Sequence, residues 1–292
     1  MTTVFATPKP DRFLDSLEKH PDLDPPLVAL CANYEEGEWR CRQLALHLIK
    51  WLPEFALKWS ERDGFDSATG VAQLARAARL VYATDKYDRR GEFGELLLHA
   101  VMRHEFNTEP AIAKLFFKDA RNDTVKGFDA VHVVETNDGQ LELWLGEVKF
   151  YDDVSTAMSH VVKELAAHTD RDYLKDEFAL ITNKLDPAWP LTKRLQKALD
   201  YENVPLDEIF ERVRIPVLLT YDSSTVASHG ARTEQYLGAF KAEVLEIRER
   251  FSKKDLPPKF AIHLILVPLK AKAKLLKELD RRLKSIQEGL DA

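Results

Sequence analysis

The stretch GFDAVHVVETNDGQLELWLGEVKFY, residues Gly127–Tyr151, holds two β-rich runs joined by Asn137, Asp138 and Gly139. A three-residue turn with Gly139 in the left-handed conformation makes the two runs a hairpin. That turn sets Thr136 opposite Gln140, so that Val133 faces Leu143, Val131 faces Leu145 and Asp129 faces Glu147. A turn one residue shorter sets Val131 against Gly146 and breaks the apolar stripe, and a buried stripe is what normally fixes register. Leu141, Leu143 and Leu145 share one face of the second strand, and Glu147 and Lys149 follow on that same face.

Two carboxylates side by side at the end of a buried face repel each other and are costly to desolvate unless positive charge lies between them. A divalent cation meets that need. Carboxylate oxygens suit hard cations, and Mg²⁺ commonly uses one or two protein carboxylates together with waters and a substrate phosphate; Mn²⁺ is the alternative ion. A neighbouring lysine orients water or stabilises charge on the phosphate. Asp129 followed by Glu147-Val148-Lys149 on the next strand therefore fits metal-assisted phosphodiester hydrolysis. Glu147-Val148-Lys149 is the only Asp/Glu-x-Lys string in the chain. The competing structural reading is an ion pair of Lys149 with Glu147 or Asp129 at the rim of the sheet.

Upstream, DRRGEFGELLLHAVMRHEF, Asp88–Phe106, reads as a helix with Glu92 and Glu95 in its first turns. Phe93, Leu96, Leu97, Ala100 and Val101 form its core side. Glu95 borders that side, which makes it a further candidate metal ligand or water-orienting group, whereas Glu92 reads as a solvated charge. Further out, short apolar runs alternate with helical segments: GFDAVHVVE, ELWLGEVKF, EFALITNK, RIPVLLTYD and FAIHLILVPL. This alternation predicts an α/β domain whose sheet is covered on both faces. Residues 1–86 read as a helical accessory region, and residues 87–292 as the α/β domain.

The 292 residues, 45% of them hydrophobic, suffice for a substantial core. The net charge of −6 argues against a surface coated for non-specific nucleic-acid binding. Charge is uneven, with a net +5 from Lys241 onward and −11 before it. Two cysteines, Cys31 and Cys41, are too few for a disulfide framework, and neither an apolar leader nor a membrane-length run is present, so a cytoplasmic location is expected.

The order of a Glu-bearing helix, then GFDAV, then LWLGEVKFY resembles the PD-(D/E)xK nuclease superfamily, and RRGEFGELLLHAVM resembles the HamA family of the Hachiman anti-phage defence system. The resemblance runs from about Tyr87 to Leu269. It implies a restriction-endonuclease-like mixed sheet flanked by helices, with an N-terminal helical extension. It also implies a metal-dependent DNase working beside a HamB-like helicase subunit. By position, Asp129 and Glu147 match the metal ligands, Lys149 the catalytic lysine and Glu95 the helix-borne acid. The proline of the superfamily motif is absent, since Phe128 precedes Asp129.

Other motifs point elsewhere or nowhere. His104-Glu105 lacks a second histidine at zinc spacing, and no GxxxxGK[ST] phosphate loop exists, so the chain is not expected to hydrolyse ATP. His160, on the helix expected after the hairpin, reads first as a surface residue, and Asp152 and Asp153 as caps. The last helix carries Lys270, Lys274, Lys277, Arg281 and Lys284 along one side, a stripe suited to a DNA backbone, an acidic partner or simply solvent. A second reading of the whole chain is a catalytically degenerate nuclease-fold module that binds nucleic acid or a protein partner.

Overall fold

Buried runs rich in Val, Ile and Leu give the central strands, and the computed structural model describes residues 9–62, 69–81, 91–113 and 127–289. The strands are β1 (Asp15–His20), β2 (Leu27–Cys31), β3 (Tyr34–Glu35), β4 (Glu38–Trp39), β5 (Glu109–Pro110), β6 (Ala130–Glu135), β7 (Leu141–Phe150), β8 (Val213–Asp222) and β9 (Ala261–Leu269). The helices are α1 (Cys41–Ile49), α2 (Leu52–Ala56), α3 (Gly70–Leu80), α4 (Glu92–Glu105), α5 (Val154–His168), α6 (Arg171–Lys184), α7 (Thr192–Ala198), α8 (Leu206–Glu211), α9 (Ser224–Ser228), α10 (Glu234–Ser252) and α11 (Lys272–Glu288).

A seven-stranded sheet has the order β1-β2-β9-β8-β7-β6-β5. Its centre, β2, β9, β8 and β7, is parallel, and both edges are antiparallel. Parallel strands joined by helical crossovers are covered on both faces, so β7, β8 and β9 are buried at nearly every position. The α/β class and the mixed sheet flanked by helices agree with the sequence.

The hairpin register is also as expected. Val133 pairs with Leu143 and Val131 with Leu145, Thr136 N–H donates to the Gln140 carbonyl at 3.0 Å, and Gly139 has φ +77°.

Two expectations are corrected. The first concerns the N-terminal region, which is not purely helical. β1 and β2 extend the sheet, with β2 lying parallel to β9 and Leu27, Val28 and Ala29 opposite Leu264, Ile265 and Leu266. The five consecutive buried residues of β2 fit a strand covered on both faces as well as they fit a helix turn, and pairing with a strand more than 230 positions away decides the matter. The boundary expected between residues 86 and 87 lies outside the described residues. The second correction concerns EFALITNK, which forms the end of α6. Leu174, Phe178 and Ile181 are buried at helical spacing, and Asp170 Oδ1 accepts the N–H groups of Asp172 and Tyr173 as the N-cap.

Two glycines bring α4 close to one face of β7. A Cβ at Gly94 would lie 2.7 Å from Cβ of Phe150, and one at Gly146 would lie 2.9 Å from Leu98 and 3.1 Å from Met102. α5 lies against β7 and β8 on the opposite face and is tied to α10 by Arg250 donating to Ser155 Oγ at 2.7 Å. α11 packs on α1 and α3, so one hydrophobic core joins residues from Leu14 to Leu283. Among the described residues no helix is long and apolar enough to cross a membrane.

Candidate active site

The antiparallel ladder of β6 and β7 continues one residue past β6. Asp129 N–H donates to the Gly146 carbonyl at 2.8 Å, and Asp129 Oδ2 accepts the Val148 N–H at 2.9 Å. The pairing of Ala130 with Gly146 sets Asp129 opposite Glu147, as the turn geometry requires. Strand alternation turns Gly146, Val148 and Phe150 towards α4 and Glu147 and Lys149 towards α5. Glu147 is only 1% exposed and Lys149 7%.

α5 starts at Asp153, whose Oδ1 accepts the Thr156 N–H at 2.7 Å, the cap expected from sequence. The helix then runs back along β7. His168 Nδ1 sits 2.5 Å from Glu147 Oε1, Glu164 contacts the Lys149 ammonium, and His160 Nδ1 lies 3.1 Å from the Tyr151 hydroxyl. Lys149 Nζ is also 3.3 Å from the Val148 carbonyl and 4.0 Å from Glu147 Oε2. The His168 ring stacks on Tyr173 at 4.8 Å and meets Phe128 edge-on at 5.3 Å.

The electrostatics follow from burial beside like charge. Burial, reinforced by the Asp129 carboxylate, pushes Glu147 up to about 7 against the opposing pull of His168 and Lys149. Burial would lower both Lys149 and His168. The Glu147 charge and the Glu164 contact outweigh it for Lys149, and the Glu147 hydrogen bond outweighs it for His168, so both are raised. Burial, with the charges of Glu177 and Glu147 behind it, raises the Tyr173 phenol.

Of the residues singled out in the sequence, Asp129, Glu147 and Lys149 come together. Glu95 does not join them in a three-ligand set. It rides on α4, which packs on the other face of β7, and among the described residues no three His, Cys, Asp or Glu side chains stand close enough to hold a metal. The donor chemistry of Asp129 and Glu147 suits a two-carboxylate cation site, because a cation there would offset both the burial that chiefly raises Glu147 and the Asp129 charge that adds to it. The basic stripe on α11 is interlaced with acids: Lys274 lies 3.8 Å from Glu38, Arg281 3.0 Å from Glu278 and Lys284 3.2 Å from Asp280. Sequence reasoning missed His168 and Glu164. The signal for them was the four-residue spacing of His160, Glu164 and His168, which matches the two-residue spacing of Tyr151, Lys149 and Glu147.

Comparison with curated proteins gives no match. The sequence model of the HamA family matches residues 10–283 of the 292, spanning β1, β2, the hairpin, α5 and the larger part of α11. The chain therefore belongs to the HamA family, a component of Hachiman antiviral defence.

Proposed function

We propose that this protein is a Mg²⁺-dependent DNA nuclease, the effector of its defence system, working with a HamB-like helicase. The observation that carries this reading is the convergence of Asp129, Glu147 and Lys149 at the end of one hairpin, with Glu147 pushed up to about 7 beside Asp129. A buried, raised carboxylate at Glu147 with a second carboxylate and a lysine beside it suits phosphodiester hydrolysis, and a rim ion pair has no need of the second carboxylate.

In this reading Asp129 and Glu147 hold the cation, with Mn²⁺ able to replace Mg²⁺. The bound cation supplies charge neutralisation at the phosphate and a more acidic water. The Val148 N–H fixes the Asp129 carboxylate, and His168 fixes that of Glu147. Lys149 carries its positive charge to the nucleophile or to a non-bridging phosphate oxygen.

The second reading, a binding module without catalysis, draws on the burial of Glu147 and Lys149 beneath α5. Cleavage assays on linear, circular and single-stranded DNA, with Mg²⁺, Mn²⁺ or EDTA, separate the two. The nuclease reading expects metal-dependent cleavage that Glu147→Gln or Lys149→Met reduces by at least about 10²-fold, with unfolding transitions intact. Unchanged cleavage in both variants, or none in the parent protein with any metal, overturns it.

A further inference from the structure

Four residues of helix advance about 6.0 Å and two residues of strand about 6.6 Å. α5 and β7 run antiparallel, so their polar side chains meet rung by rung: His168 on Glu147, Glu164 on Lys149 and His160 on Tyr151. The rungs differ in exposure. Glu147 is sealed, whereas the Glu164 side chain is 42% exposed and approaches Lys149 from the solvent side. The groups facing the Lys149 ammonium are thus the Val148 carbonyl, Glu147 and Asp129 from the hairpin, and Glu164 from α5.

Building on the nuclease reading, we propose that Glu164 occupies the position of the substrate phosphate beside Lys149. Its carboxylate holds the ammonium in the resting protein and gives way to a phosphate of the DNA strand. The exchange is anion for anion, so Lys149 never loses its counter-charge. Glu164 is the partner released because returning a half-exposed carboxylate to water costs little, whereas detaching Glu147 would strand a buried charge. Left in place, Glu164 would repel the approaching phosphate. Glu164 is in this sense an internal competitor for Lys149 that has left the site before the reacting phosphate is engaged.

The test is a double-mutant cycle on the full chain with Glu164→Gln, Lys149→Met and the combined variant, each checked for an unchanged unfolding transition. Binding of a short fluorescein-labelled DNA duplex is followed by anisotropy in EDTA, where no cleavage intervenes. Glu164→Gln is expected to bind about two- to fivefold tighter, the scale of one exposed ion pair. Its salt slope should change little, because Lys149 meets the phosphate in both proteins. The gain in affinity should vanish in the Lys149→Met background. In Mg²⁺ the same substitution should lower KM and leave kcat unchanged. Equal or weaker binding, or a gain that persists without Lys149, overturns the proposal. So does a collapse of kcat in Glu164→Gln, which would place Glu164 among the groups acting on the reacting phosphate. A parent protein that cleaves while Glu164→Gln shows no Lys149-dependent gain sinks this inference alone. A Lys149-dependent gain in a protein that never cleaves sinks the nuclease reading instead and leaves Lys149 as an anion-binding position.

Discussion

Gly94 and Gly238 undergo the same chemical change on substitution by alanine and should respond with opposite signs. A methyl at Gly94 meets Phe150 Cβ at 2.7 Å, a backbone-anchored atom that moves only if α4 or β7 moves. Gly94→Ala should therefore cost about 1–3 kcal/mol through overpacking. Gly238 sits at an exposed position of α10, where an added methyl would meet no heavy atom within 4 Å. Gly238→Ala should stabilise by about 0.5–1 kcal/mol, because glycine gives up more backbone freedom than alanine. Urea unfolding midpoints of the two variants check both signs. A different balance governs Glu54 on α2, whose carboxylate lies 3.0 Å from His99 Nε2, 3.0 Å from Arg103 Nε and 3.7 Å from Arg62. Burial alone would raise this carboxyl, but the His99 hydrogen bond and the fixed charges of Arg103 and Arg62 hold it well below the usual range. A depressed carboxyl stabilises the fold above its ordinary pKa, and that stability drains away as pH falls towards the lowered value. Glu54→Gln should cost about 3 kcal/mol near neutral pH, with a smaller deficit as the pH is taken down through the carboxylate range. Denaturant unfolding across that range measures the shrinking gap, and a constant gap would refute the assignment.

At the level of elements, α5 matters because one helix places three side chains on one strand. Its N-cap is a short bond from the Thr156 N–H to Asp153, and Asp153→Ala should destabilise the start of the helix by leaving that N–H without its side-chain acceptor. The same substitution should weaken the rungs at Lys149 and Glu147 less than it frays the first turn, since those rungs sit two and three turns further along. Amide hydrogen exchange resolves this, with faster exchange expected over the first turn of α5 and little change near Glu164 and His168. α6 shows how an element can be misread. Its Phe-Ala-Leu-Ile-Thr run has strand-like composition, yet Asp170 caps it and Leu174, Phe178 and Ile181 share one buried side. Extending the reading window upstream to Asp170 recovers the helical period.

For the whole molecule, the N-terminal strands change what truncation should do. β2 covers the edge of β9, with Leu264 N–H donating to the Pro26 carbonyl at 2.9 Å and Leu27 opposite Leu264. Removing residues 1–86 strips β1, β2 and the helices that pack on α4 and α11, leaving β9 as a long, apolar, unpaired edge. Such edges aggregate, so the truncated chain should be insoluble or multimeric rather than a folded nuclease that has merely lost its partner. Light scattering of the truncated protein decides between these outcomes. Association with a HamB-like helicase is better examined on the full chain. The sequence shows no GxxxxGK[ST] phosphate loop, so in the proposed nuclease reading any ATP-driven control of cleavage would fall to the helicase partner. Co-expression should yield a complex with lower DNase activity than the isolated chain. An inert isolated chain that also fails to bind the helicase would sink that arrangement.

The hairpin and its cluster were legible in the sequence because their geometry is local. A three-residue turn, a strand period of two and an uninterrupted apolar stripe leave one register, and that register sets Asp129, Glu147 and Lys149 together without reference to the rest of the chain. The buried side of α4 and the cap of α5 were legible for the same reason. What tertiary structure decided depends on contacts between distant segments. β2 becomes a strand because β9 offers it a ladder. The face of β7 on which α4 packs is a choice of sides that no local pattern encodes. His168 and Glu164 reach Glu147 and Lys149 only once α5 folds back antiparallel on the strand, where a helix rise taken four residues at a time meets a strand rise taken two at a time.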